Sequence, residues 1–254
     1  LLRIASSQEY TIMGVEAWLS EPATSFPRSA PLLLVRHDVD QSPRSALKMA
    51  AVEAEFGMRS TWYFRWRTAH PRVVEKIREA GHAIGLHYET LTRLTLERHL
   101  AGDLTELIPE ARELLMQELA TFRDRFGPVR SACPHGDTRA PGVHNATLLR
   151  GQDLNRYGIE WDVNDAVGER GIDVWLTDRS RAEGSWGSSL DPIDLIVDRR
   201  SPLLLVVHPN NWVSGAALWW DRLVPGGART GSDNPPERRS GGHAGSGEPV
   251  GGPA

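Results

Sequence analysis

Across 254 residues there is one cysteine, with four methionines and four tyrosines. No apolar run approaches the roughly 18 residues needed to cross a bilayer, so no membrane span is expected. The lone Cys133 excludes an intrachain disulfide and fits a reducing compartment. No basic segment followed by an apolar stretch and a small-residue cleavage site stands near the start, so secretion has no support and a cytoplasmic location is the expectation. The chain begins Leu1-Leu2 without methionine, which leaves a leader ahead of it open. The net charge is only -4, and this mild acidity gives no reason to expect nucleic acid as a partner. There is no internal repeat.

What is present is a chain that is 40% hydrophobic and 24% charged, enough for one sizeable core. Strand-like and helix-like stretches alternate. Residues 31–37 read as a strand and 43–56 as a helix, where Ala46, Ala50 and Ala54 step by four and Gly57 is a stop. A strand at 60–64, a helix at 71–80 and a strand at 83–87 follow. A long helix is expected from about 102 to 126, with an apolar stripe from Leu104 through Leu115 to Phe126. Further strands are expected near 129–133, 158–161, 172–177 and 203–208, with a helix at 191–200. Repeated βα units predict an α/β fold with a parallel sheet, most simply a barrel or a distorted (β/α) barrel. Residues 1–225 would form it. From Gly226 to Ala254 the composition turns to Gly, Pro, Ser and Arg without an aromatic residue, as expected of a disordered tail.

The most informative stretch is Arg36-His37-Asp38-Val39-Asp40, directly after the apolar run 32–35. Chemistry in α/β folds collects at the carboxyl ends of strands, and side chains two apart on an extended segment point the same way. Asp38 and Asp40 therefore suit one pocket. On its own the motif reads equally well as a helix cap, with Asp40 or Ser42 ahead of Pro43. Other strand ends carry His87, His135 (in Cys133-Pro134-His135-Gly136) and His208. Any one histidine is more often structural. Their recurrence at one end of successive strands points to a site, and carboxylate with imidazoles suits Zn²⁺ and other divalent transition metals.

These blocks, together with residues 57–64 and Gly81-His82-Ala83-Ile84-Gly85-Leu86-His87-Tyr88-Glu89, resemble the polysaccharide deacetylase family, the NodB-homology group or carbohydrate esterase family 4. The similarity is nearest to the branch whose first motif is Asp-Val-Asp. Pro134-His135-Gly136 and Leu205-Val206-Val207-His208-Pro209 stand where the later motifs fall, so the resemblance spans about 31 to 212. It implies a distorted (β/α) barrel with one divalent metal ion, Zn²⁺ first, with Co²⁺ or Ni²⁺ as alternatives. It implies Asp38 as catalytic base, Asp40 and His87 as metal ligands and His208 as general acid. It further implies an N-acylated sugar or glycan precursor as substrate.

The sequence departs from the family at two places. A second histidine ligand usually stands four residues after the first, and here that position is Leu91. His135 is the expected replacement, with Asp38, His37, Glu89 and Cys133 as weaker candidates. The arginine that orients the base is absent beside Pro134, and Arg130 or Arg36 would substitute. Arg36, Asp178 and Trp212 are expected to bind substrate, Trp212 as a face for a sugar ring; Trp175 and Trp186 are further aromatic candidates. His82, at the opposite strand end, reads as structural, and Asn145-Ala146-Thr147 matches a glycosylation acceptor only formally. The leading reading is a metal-dependent amidohydrolase that removes an acyl group, acetyl first. Its rivals are a deformylase or small-amide hydrolase on the same fold, and a metal-free glycan-binding barrel.

Overall fold

The computed structural model describes residues 1–26, 29–100, 102–137, 139–178, 186 and 190–212. The tail expected at 226–254 lies outside them. In chain order the elements are α1 (Leu2–Ser7), β1 (Thr11–Gly14), α2 (Val15–Ser20), β2 (Leu32–Val39), α3 (Pro43–Glu55), β3 (Thr61–Phe64), α4 (Pro71–Glu79), β4 (Ala83–Tyr88) and α5 (Thr90–Glu97). Then come α6 (Ile108–Phe126), β5 (Ser131–Pro134), β6 (Trp161–Asp162), α7 (Val163–Arg170), β7 (Val174–Thr177), α8 (Pro192–Val197), β8 (Leu203–Val207) and α9 (Pro209–Trp212).

Among the described residues seven strands follow one another in a parallel sheet in the order β6-β5-β4-β3-β2-β8-β7, and β1 joins it as an eighth by pairing with β2. β2 is central and wholly buried. Its first half, from Leu32 to Val35, pairs with β1, and its second half, from Arg36 to Val39, pairs with β3; β8 runs beside residues 33–37. β6 and β7 end the path and do not pair with each other among the described residues. The sheet curls nonetheless, because Trp175 and Thr177 of β7 line the same cavity as His87 of β4. This is a distorted (β/α) barrel, open along one side.

The interior of the curl holds Leu32, Leu34, Tyr63, Cys133, Leu204 and Val206, while α3, α4, α5 and α6 cover the outer face over Trp62, Phe64, Ile84 and Leu86. Tyr63 needs space at β4, and Gly85 supplies it: a Cβ there would stand 2.4 Å from Tyr63 Cε1. The Tyr63 hydroxyl pairs with Ser131 Oγ at 2.7 Å, and Ser131 donates to the buried Glu16 at 2.6 Å.

One expectation about a helix is corrected. The α6 helix begins at Ile108, not near 102, because Pro109 lacks an N–H and fits only the first turn; residues 105–107 form a 3₁₀ turn instead. The α1-β1-α2 segment has no counterpart in the sequence reading. β1 has four residues and is only partly buried, too short for a pattern to show. Ser42, not Asp40, caps α3: its Oγ accepts from Ser45 N at 3.3 Å, and Pro43 opens the helix. Asp40 is left free of capping.

Candidate active site

Alternation along β2 and its exit puts Arg36, Asp38 and Asp40 on the inner face, toward a cavity of about 340 Å³. Asp38, Asp40, His87, His135 and His208 all line it, with Trp175 and Asn164 at its side. The acids and histidines come from the carboxyl ends of strands or the loops after them, as a parallel sheet requires, while Asn164 stands in the first turn of α7 and Trp175 on β7.

Asp38 is almost fully buried and gripped by a guanidinium fork: Arg36 Nε donates to Oδ1 at 2.8 Å and Nη2 to Oδ2 at 2.6 Å. Arg36 Nη1 donates to Asn164 Oδ1 at 2.7 Å, and the guanidinium lies 5.6 Å from the centre of the Tyr63 ring. Burial alone would push the Asp38 carboxyl up. Arg36, then His87 and His208, outweigh it and hold the group well below the usual carboxylate range. Arg130 takes no part. At the start of β5, the opposite end of the sheet, it pairs with Glu160 in an exposed fork.

His87 Nδ1 stands 3.0 Å from the carbonyl of Cys133. A carbonyl only accepts, so the proton sits on Nδ1 and Nε2 is left with a free lone pair. That Nε2 is 3.4 Å from Asp40 Oδ1 and 3.6 Å from Asp38 Oδ2. Burial keeps His87 below its ordinary pKa and therefore neutral, against the pull of Asp38 and Asp40. His135 brings its Nε2 to 3.5 Å from the same Asp40 Oδ1. Asp40 Oδ1 is buried, faces two imidazole nitrogens and has no hydrogen-bond partner. A buried carboxylate oxygen is rarely left so, and three donor atoms within 4.8 Å of one another fit a divalent cation.

His135 is fixed by its backbone. Its N–H donates to Tyr88 O at 2.9 Å, and its carbonyl accepts from Asn145 Nδ2 at 2.8 Å. Asn145 in turn accepts from Thr92 N and donates to Thr92 Oγ1. The asparagine of the formal glycosylation acceptor is thus buried and occupied. Leu91, four residues after His87, is buried in the apolar cluster that includes Tyr88 and Leu94.

The weaker ligand candidates separate clearly. His37 points to the other face of β2, against Glu53. Glu89 pairs with Arg65 and Arg139. Cys133 is within reach of Asp38 and His87, but burial pushes its thiol well above the usual range.

His208 stands across the cavity, with Nε2 3.6 Å from Asp40 Oδ2. Its Nδ1 is 2.5 Å from Asp178 Oδ1, and its backbone N–H donates to both oxygens of Asp178 at 3.0 Å. Burial would lower its pKa, but the Asp178 hydrogen bond, with Asp38 and Asp40, raises it to about 9. His208 is therefore a cation at neutral pH. Trp212, half exposed, donates from Nε1 to Asp178 Oδ2 at 2.6 Å and packs 5.4 Å from the Trp186 ring. Asp178 and Arg36 thus spend their polar atoms on His208, Trp212, Asp38 and Asn164.

Asn164 escaped the sequence reading. The strand it follows is β6, which ends at Asp162, one residue later than expected, so the strand-exit pattern would have reached Asn164 had that boundary been placed correctly.

No family model matches the chain, and no curated protein matches it. Solved structures with a related fold are carbohydrate esterases of family 4. An esterase of Streptococcus mutans is 14% identical, with a TM-score of 0.45 over 76% of this chain and 83% of that one. An esterase of Bacillus anthracis is 14% identical, with a TM-score of 0.42 over 87% and 84%. A mutant of a family 4 pseudoenzyme from Bacillus anthracis, with restored enzymatic activity, is 12% identical with a TM-score of 0.43. That match covers 75% of this chain, which spans 61% of the pseudoenzyme's length.

Proposed function

We propose that the protein is a metal-dependent hydrolase that removes an N-acyl group, acetyl first, from an amino sugar or glycan precursor. The observation that carries this reading is the orphaned Asp40 Oδ1, set between two imidazole nitrogens and flanked by a carboxylate and an imidazolium. Asp40, His87 and His135 would hold the cation, and Zn²⁺ suits one carboxylate and two imidazoles. When bound, the cation supplies polarisation of the amide carbonyl and acidification of water.

The residues of the chain do the rest. Asp38 accepts the proton that the attacking water gives up as its oxygen bonds to the carbonyl carbon. Arg36 aims it and keeps it ionised, at the cost of making it a weak base, which suits it only to an acidified water. His208 delivers the Nε2 proton to the nitrogen as the C–N bond breaks, so that an amine leaves and a carboxylate remains. Asp178 holds the Nδ1–H and keeps the ring charged until that moment. Trp175 on the cavity wall, and Trp212 where its face is free, offer apolar surfaces to the acyl group and the sugar ring.

The test is release of acetate or formate from a panel of N-acylated amino sugars and nucleotide- or lipid-linked sugars. Release that vanishes on chelation and returns with Zn²⁺, Co²⁺ or Ni²⁺ supports the proposal, and formate in place of acetate would make it a deformylase. Tight glycan binding without release under any metal would overturn it.

A further inference from the structure

The residue expected to replace the missing ligand has an unexplained atom. His135 is 8% exposed, and its Nδ1 is buried without a hydrogen-bond partner. The acid facing it is Asp137, whose Oδ2 lies 3.8 Å away. The Asp137 side chain is covered and firmly held. Arg139 Nε reaches its two oxygens at 2.9 and 3.1 Å, Arg139 Nη2 grips Oδ2, and the Arg139 backbone N–H donates to Oδ1 at 2.9 Å. Arg139 also reaches Glu89 at 3.4 Å, which Arg65 holds from the other side.

We infer that Asp137 is a positioning residue for His135: it accepts the Nδ1–H and so keeps the proton off Nε2. The reason is a competition between two carboxylates for one proton. A neutral imidazole has a single N–H. On Nε2 it points at Asp40 and blocks ligation, whereas on Nδ1 it points at Asp137 and frees Nε2. A cation beside Asp40 needs the second state, and closing the gap to Asp137 by about 1 Å completes the hydrogen bond. His87 shows the same logic already finished, with the carbonyl of Cys133 taking its Nδ1–H.

Donor atoms of Glu89, His135 and Asp137 also lie within 4.8 Å of one another. Two guanidinium groups already neutralise those carboxylates, so the cluster serves as a support for His135 and not as a second cation site. This inference rests on His135 being a metal ligand.

Zn²⁺ and Co²⁺ affinity, measured on the full chain by competition with a chromophoric chelator, tests it. The comparison is wild type, Asp137→Ala, Asp137→Asn and His135→Ala. Asp137→Ala should weaken binding by about 10–100-fold, the usual effect of removing the carboxylate behind a ligating histidine. Nitrogen NMR of the metal-free proteins should find the His135 proton on Nδ1 in wild type and shifted toward Nε2 in Asp137→Ala. If Asp137→Ala does not fold, Asp137→Leu, close in size and without an acceptor, carries the same comparison, while Asp137→Asn, whose amide oxygen still accepts, separates the charge from the hydrogen bond. Affinity within about twofold of wild type overturns the inference, and so does an affinity loss with an unmoved proton, since Asp137 would then only shape the loop. Wild-type affinity in His135→Ala overturns the ligand set itself, and this inference with it.

Discussion

The two faces of β2 carry titratable groups of similar kinds with opposite fates. Outward, His37 meets Glu53, which accepts from Ser60 Oγ at 2.6 Å, while Ser60 N donates to His82 Nδ1 at 3.0 Å. His37 stacks on Trp62 with ring centres 3.8 Å apart, and the cluster is sealed under α3. Inward, Asp38 and Asp40 open onto a cavity, and one carboxylate oxygen is left without a partner. The outer set is buried beneath α3, although His37 Nδ1 and His82 Nε2 are as unpartnered as Asp40 Oδ1. The inner set faces open space. Serine, glutamate and two histidines look as catalytic in composition as the inner set; access tells them apart.

The sharpest way to break this comparison is to mutate both faces. On the inner face, Asp38→Asn and His208→Ala should each lower kcat by about 10²-fold or more with metal still bound, measured by steady-state kinetics and metal analysis. Near-normal turnover in either would strip that residue of its role. Arg36→Met should come next, because it leaves the Asp38 carboxylate buried and unpaired. The Asp38 pKa is depressed in the folded protein, so its ionised form is kept above that pKa and lost as pH falls through it. Without Arg36 the acid limb of the kcat/KM profile should move to higher pH; an unmoved limb would mean the fork does not set it.

For His208 the sign is reversed. Its raised pKa means the proton is held below about pH 9 and lost above it, so the alkaline limb falls there. Asp178→Asn should bring that limb down in pH, and proton NMR of the metal-free variant should show His208 titrating earlier. On the outer face, Glu53→Ala should cost about 1–3 kcal/mol in urea unfolding, through the unmet donors it leaves, while kcat of the folded fraction stays as it was. A drop in kcat without a loss of stability would make the sealed cluster functional. The smallest effect is expected from ending the chain at Pro225, since the composition beyond it offers almost no apolar area against a backbone cost of roughly 1–2 kcal/mol per residue. Melting temperature and metal content should not change.

The alternation of strands and helices from β2 to β8 was legible because each strand is a short apolar run with a polar exit, and the exits drew Asp38, Asp40, His87, His135 and His208 to one end. What stayed hidden depends on contacts between distant segments. Asn164 was marked only by its place just past the end of β6, and its partner Arg36 lies 128 positions away in sequence. Asn145 stood out only as a formal glycosylation acceptor, and folding places it under the His135 carbonyl. Arg36 was read as a substrate contact or a stand-in for the missing arginine, and only the fork on Asp38 separates the two.

Leu91 has a consequence for how such a site can change over generations. Its side chain belongs to the same apolar cluster as Tyr88 and Leu94, on the helix that Asn145 ties to the His135 loop. A mutation of Leu91 to histidine would bury a polar ring among aliphatic neighbours before it could gain a cation. With His135 as the proposed ligand, such a variant would be less stable and no more active. In the proposed ligand set the closed core therefore acts as a ratchet: any exchange of ligands through position 91 lies across a valley of poorer proteins.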